Sequence, residues 1–246
     1  MLPDRSESNP RPHPGAARRV WGDAMIVCGK DLRIELRTRE VVTTAGFFAA
    51  LVAILASVAF YSGDGPRVAP GALWLSVAFA SVLAIGRSWQ REREESALVG
   101  LLVSPIARQA IFLGKALGIF LFLLAVEAVV FPIVALLFHI DLLDALPATA
   151  SILLLGTLGV SATGTLFGAM TVRTRARDLV LATVLFPLLS PTLLSGVSAS
   201  KEIFSALAAG HPITFTELRD YYLLLGVFDA VAVLGGVALF GALVDD

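Results

Sequence analysis

The chain has 246 residues, 57% of them hydrophobic and 16% charged, with a mean hydropathy of +0.81. Soluble domains average about 45–50% apolar and about 25% charged residues, so a water-soluble globule is excluded. The 19 Lys and Arg against 20 Asp and Glu leave a formal charge of −1, which excludes a strongly basic nucleic-acid binder and an acidic disordered chain.

Residues 1–20 are rich in Pro, Arg and Ser and lack the apolar core of a secretion signal. They are expected to form a disordered cytoplasmic extension ahead of a transmembrane domain over 21–246. Within Trp21–Glu40, Ile26, Val27, Lys30, Ile34 and Arg37 alternate between apolar and basic faces at helical spacing. That pattern predicts an amphipathic helix lying in the membrane interface, its cations near lipid phosphates. A plain helical lead-in to the first span is the alternative.

A helix rises about 1.5 Å per residue, so about 20 apolar residues cross a hydrocarbon core about 30 Å thick. Six stretches qualify: Val41–Phe60, Gly71–Gly86 (extending to Trp89), Ile111–Phe138, Ala148–Val172, Leu179–Ser198 and Tyr222–Val244. The expected fold is an all-α polytopic membrane protein with six spans.

Lys and Arg set the orientation. Eight fall in residues 1–40, five between spans 2 and 3 (Arg87, Arg91, Arg93, Arg108, Lys115) and three between spans 4 and 5 (Arg173, Arg175, Arg177). The alternate loops hold only Arg67, Lys201 and Arg219, so the ratio is sixteen to three. Both termini are therefore expected in the cytoplasm. The Arg173–Arg177 cluster is expected to anchor lipid phosphates.

The loop from Arg87 to Pro105 carries a charged stalk and then an apolar face of Ala97, Leu98, Leu101 and Leu102. Arg91 and Glu95 stand at i,i+4, which supports a helix, and Pro105 after Ser104 stops it. The face fits either a groove on a cytosolic protein or the lipid surface. Glu127, twelve residues beyond Lys115, and Asp229, eight beyond Tyr221, fall inside spans 3 and 6. A charge at such depth costs at least about 2.5–3.5 kcal/mol. Each is a candidate translocation or gating carboxylate, or a structural hydrogen-bond partner. Pro132, five residues after Glu127, removes a backbone hydrogen bond and suits a moving helix.

Pro187 and Pro191 predict a broken or re-entrant fifth span, with a bent spanning helix as the alternative. Gly156, Gly164 and Gly168 mark a close-packing stripe within the chain or at a dimer seam, and Gly114 and Gly118 repeat the motif. His139 and His211 belong to the outer face, solvated or touching a metal or haem. Cys28 alone excludes a disulfide framework, and no metal site is expected. No Gly-x-x-x-x-Gly-Lys-Ser/Thr is present, nor HExxH or Gly-x-Ser-x-Gly, so nothing argues for an enzyme.

Lys30-Asp-Leu-Arg-Ile-Glu-Leu-Arg-Thr-Arg-Glu40 resembles the opening of the haem exporter protein B family of the cytochrome c maturation system. So do Arg91-Glu-Arg-Glu-Glu95, Leu101-Leu-Val-Ser-Pro105, Leu113-Gly-Lys115, Gly164-Thr-Leu-Phe-Gly168, Val172-Arg-Thr-Arg-Ala-Arg177 and Leu185-Phe-Pro-Leu-Leu189. The resemblance spans about residues 28–246. It implies the membrane (permease) subunit of an ABC-type complex, ABC-2-type exporter-like, in the bacterial inner membrane. ATP would be bound only by a separate ABC ATPase subunit. Further implied partners are a tryptophan-rich haem-handling membrane subunit, a small membrane subunit and a periplasmic haem chaperone, within a homodimeric or heterodimeric assembly.

Haem would be a transported substrate, with no tightly bound cofactor. By the same analogy, Arg91, Glu94, Glu95, Leu98, Leu101, Leu102, Ser104 and Pro105 would form the coupling helix that contacts the ATPase subunit, and Trp21–Glu40 the connecting helix. The alternatives are a drug or polysaccharide exporter subunit, a proton-coupled secondary carrier using Glu127 and Asp229, or an inert scaffold.

Alkaline phosphatase fused at Glu92–Glu95 is expected to be inactive, and the same reporter fused at Asp141–Asp144 active. The reverse pattern overturns the orientation.

Overall fold

The structure, a computed structural model, describes residues 16–60, 64–94, 100–101, 103–171, 177–211 and 213–245. Among these residues, seven helices follow in chain order: α1 (Ala16–Thr38), α2 (Glu40–Ala59), α3 (Gly65–Glu94), α4 (Arg108–Leu137), α5 (Leu142–Thr171), α6 (Arg177–Ala208) and α7 (Phe215–Asp245). Helices α2 to α7 are each long and apolar enough to cross a membrane. The chain is thus an all-α multi-pass membrane protein. The helices overrun the expected apolar stretches, most clearly α3, which starts before Gly71 and continues past Trp89 to Glu94. Hydropathy marks only the part of a helix that meets hydrocarbon, whereas backbone hydrogen bonding carries it on through polar residues.

Helix α1 begins at Ala16 rather than Trp21, since Ala16-Ala17-Arg18-Arg19 are good helix formers. Residues 1–15 lie outside the described residues. Its inward face is Ala24, Val27, Cys28, Asp31 and Glu35, all buried, and it packs on α4. The expected apolar and basic alternation is corrected here: Ile26 and Arg37 are exposed, and the buried face carries two acids. Gly114 and Gly118 of α4 form the seat. A Cβ at Gly114 would lie 2.6 Å from the carbonyl oxygen of Ala24. The chain then turns sharply at Arg39 (φ 54°). There the Glu35 side chain accepts the Val42 N–H at 2.8 Å and caps α2.

Helices α3 and α5 are the most enclosed spans, and α7 the least. Trp74 of α3 fits a notch formed by Gly156 of α5 and Gly196 of α6, and its indole N–H donates to Ser200 Oγ at 3.0 Å. Ile85 sits against Gly164 and Trp89 against Gly168. The α5 glycine stripe therefore receives side chains of α3 within the same chain, and is not a dimer seam. Helix α6 is one helix through Pro187 and Pro191, which corrects the expectation of a broken or re-entrant segment. Pro191 has no N–H for the Pro187 carbonyl, and Ser190 Oγ donates to that oxygen instead, at 2.6 Å.

Gly196→Ala places a methyl group in the Trp74 ring, whereas Gly226→Ala meets open space. Overpacking of this kind costs about 1–3 kcal/mol. Thermal unfolding in detergent is expected to fall clearly for Gly196→Ala and to stay level or rise slightly for Gly226→Ala. Equal behaviour overturns the notch.

Candidate functional site

Four charged side chains meet where α1, α3 and α4 converge. Lys115 of α4 is 1% exposed. Its Nζ pairs with Asp31 Oδ2 of α1 at 2.8 Å and donates to Glu92 Oε1 of α3. Lys30 of α1 donates to the same Glu92 oxygen at 2.6 Å and pairs with Asp31 Oδ1 at 3.2 Å. Two ammonium groups thus face two carboxylates, and the cluster is formally neutral. The Trp89 ring lies 5.7 Å from Lys115 Nζ, close enough for a cation–π contribution.

Burial works against the Lys30 ammonium, but Asp31 and Glu92 outweigh it and hold its pKa above the ordinary lysine value. Burial, and then the Asp31 charge, push the Cys28 thiol up, so that it is a poor nucleophile.

A second set of ion pairs closes the corner beside this cluster. Arg91 pairs with Glu35 at 3.6 Å and with Glu40 at 3.3 Å, and Arg87 pairs with Glu40 at 3.5 Å. Arg91, expected to contact an ATPase subunit, is therefore engaged within its own chain by the α1–α2 corner. Leu101 is half-buried against the apolar core. Val103 is 84% exposed and Pro105 is exposed. Ser104 Oγ donates to the Leu101 carbonyl at 2.6 Å. Glu95, Leu98 and Leu102 lie outside the described residues, as does the Glu94 side chain.

Glu127 of α4 is buried and accepts a hydrogen bond from Thr157 Oγ1 of α5. It lines a cavity of about 230 Å³ between α4 and α5, with Leu124, Ala128, Phe131, Leu153 and Leu154. Pro132 follows in an unbroken α4. Asp229 of α7 is buried against Gly159 of α5. Thr157 and Gly159 are two positions apart on one helix and point about 200° from each other. The two acids therefore sit on opposite sides of α5 and do not share a site. His139 and His211 are exposed near the other end of the bundle, each beside a positive-φ residue position: His139 itself (φ 56°) and Gly210 before His211 (φ 74°).

With the geometry in place, comparison with known proteins is decisive. The profile of the CcmB protein family matches residues 23–242. The chain belongs to the CcmB protein family. Heme exporter protein B of Bradyrhizobium diazoefficiens is 29% identical over 213 residues, 83% of this chain and 94% of that protein. The protein of that name from Rhodobacter capsulatus is 31% identical over 196 residues, 75% of this chain and 85% of that one. That from Pseudomonas aeruginosa is 26% identical over 203 residues, 80% and 88% respectively.

Lys30, Asp31, Glu92 and Lys115 all lie in three of the seven segments that carry the resemblance in the sequence: Lys30–Glu40, Arg91–Glu95 and Leu113–Lys115. As a constellation they escaped sequence reasoning, because 23 residues separate Glu92 from Lys115 and 62 separate it from Lys30. The available signal was a lysine, Lys115, at the start of a strongly apolar run.

Lys115→Met is expected to destabilise the protein by about 3–5 kcal/mol, because two buried carboxylates lose a partner. Adding Glu92→Gln leaves Lys30 and Asp31 balanced and is expected to restore much of the loss in thermal unfolding. Because the Lys30 pKa is raised in the fold, its contribution is complete below about 10.4 and is lost as pH rises through the folded value. A double variant less stable than Lys115→Met alone overturns the pairing.

Proposed function

We propose that this chain is the membrane subunit of a haem export system for c-type cytochrome biogenesis, coupling ATP hydrolysis by a separate ABC ATPase subunit to haem transfer or to release of a haem chaperone. The observation that carries the reading is the ion cluster of Lys30, Asp31, Glu92 and Lys115, set in a chain of this family. It joins α1, α3 and α4 at the base of the segment that leads from Glu94 to Pro105. Force applied there acts on Glu92, and through Glu92 on Lys115 of α4 and Lys30 of α1. Buried charge pairs resist separation, so the three helices move together.

In this reading the Arg91–Pro105 region faces the cytoplasm, both termini lie there, and the membrane is the bacterial inner membrane. Arg91 braces the docking segment, while Glu94, Glu95, Leu98, Leu101, Leu102, Ser104 and Pro105 meet the ATPase subunit. A tilt of α4 would shift Glu127 and Pro132 against α5, changing the Thr157 contact and the groove beside it. Gating requires that the two states differ in such contacts. A tryptophan-rich membrane subunit, a small membrane subunit and a periplasmic haem chaperone complete the proposed assembly. Asp229 packs against Gly159 of α5 and is assigned a packing role.

Leu101 is half-buried in its own chain, so Val103→Asp is the cleaner probe of docking. Val103→Asp is expected to reduce co-purification with the ATPase subunit at least tenfold and to abolish c-type cytochrome maturation, with the chain still inserted. Glu127→Gln is expected to impair maturation but not assembly. Normal maturation with Val103→Asp would sink the coupling route, and with Glu127→Gln it would make that acid structural only.

A further inference from the structure

We propose that a cleft between α5, α6 and α7, at the opposite end of the bundle from the ion cluster, binds a ferric porphyrin with His211 as the axial ligand of its iron. The choice of ligand rests on the haem-export reading; the cleft itself does not. One lobe of about 400 Å³ is lined by Asp144, Pro147, Leu207, His211 and Ile213. A second of about 150 Å³ shares Pro147, Ala148 and Ile213 and adds Phe215, Leu218 and Tyr222. Together they fall within the range of about 300–1,000 Å³ that suits a cofactor-sized molecule.

The chemistry of the walls is selective. Phe215 and Tyr222 stack at 5.8 Å with planes 28° apart, and Pro147 and Ile213 add flat apolar surface. Tyr222 is held in place, its hydroxyl 2.6 Å from Ser151 Oγ. His211 is fixed by its backbone: Gly210 adopts φ 74° and the His211 N–H donates to the Ala206 carbonyl at 3.0 Å. The imidazole is exposed beside the Glu217 carboxylate and accepts or donates no side-chain hydrogen bond among the described residues, which leaves a nitrogen open to a metal. Imidazole is the commonest protein ligand to haem iron.

Asp144 places a carboxylate in the same lobe, complementary to the positive ferric core. It would repel propionates, which must therefore point out of the open mouth. A lipid phosphate headgroup offers the imidazole no metal and fits the cleft less well. His139 lines neither lobe.

The test is a titration of the full chain in phosphatidylcholine nanodiscs with haemin, read by the Soret and visible bands. Iron-free protoporphyrin IX, read by fluorescence, runs in parallel. Wild type and His139→Ala are expected to give the same imidazole-ligated spectrum. His211→Ala is expected to weaken haemin at least tenfold and to lose that signature, while protoporphyrin binding is retained. Ala148→Trp, which fills the wall common to both lobes, is expected to weaken both probes.

An unchanged haemin spectrum in His211→Ala overturns the ligand, and unchanged binding of both probes by Ala148→Trp overturns the cleft in favour of partition into the bilayer. The readings separate cleanly. Spectroscopic ligation by His211 in a chain that is dispensable for cytochrome maturation leaves the site standing and removes the export role. A chain needed for maturation, with His211→Ala silent in the titration, does the opposite.

Discussion

An ammonium group enclosed by apolar helices must find carboxylates, and Lys115 finds them on two different elements. Leaving such a charge unpaired costs about 3–5 kcal/mol. An exposed pair such as Arg67–Asp64 is worth about 0–1 kcal/mol. The requirement therefore dominates the local architecture. It draws Asp31 inward, so α1 lies against α4 and is part of the bundle. It also holds Glu92, so α3 keeps its helical course beyond the apolar region. Gly114 and Gly118 make the approach possible, since α1 must come close enough for Asp31 to reach across.

The remaining helix contacts follow a different rule. Apolar side chains gain little by leaving lipid for a helix interface, so packing and hydrogen bonds decide which helices associate. Large residues of α3 enter glycine notches on α5 and α6, and Trp74 adds a polar tie to Ser200. This gives a stiff central unit of α3, α5 and α6. At one end α1 and α4 are tied to it through Glu92, and further along α4 also packs on α5, where Glu127 accepts from Thr157.

The candidate site was legible in parts. The depth of Glu127 and Asp229 follows from counting residues along apolar spans, and both are buried as that depth suggests. Their separation by α5 does not follow from counting, because it depends on the rotation of α4 and α7 about their own axes. Arg91 was legible as a charged stalk residue, but its engagement by Glu35 and Glu40 depends on the turn at Arg39. Pro187 and Pro191 misled in the other direction. A proline removes a donor wherever it stands, yet Ser190 supplies a substitute one turn away and the helix continues.

Run length and backbone hydrogen bonding are local properties, so the sequence alone determined six membrane-crossing helices, their approximate limits and a helix ahead of them. Family membership was also readable, since it resides in short contiguous motifs. Which faces meet is not local. The pairing of Lys115 with Asp31 and Glu92, the seat of Trp74, and the gathering of Pro147, His211 and Tyr222 around one cleft each join residues far apart in the chain. Only the tertiary structure decided them, because the same apolar helix satisfies its own backbone at any rotation and only packing selects one.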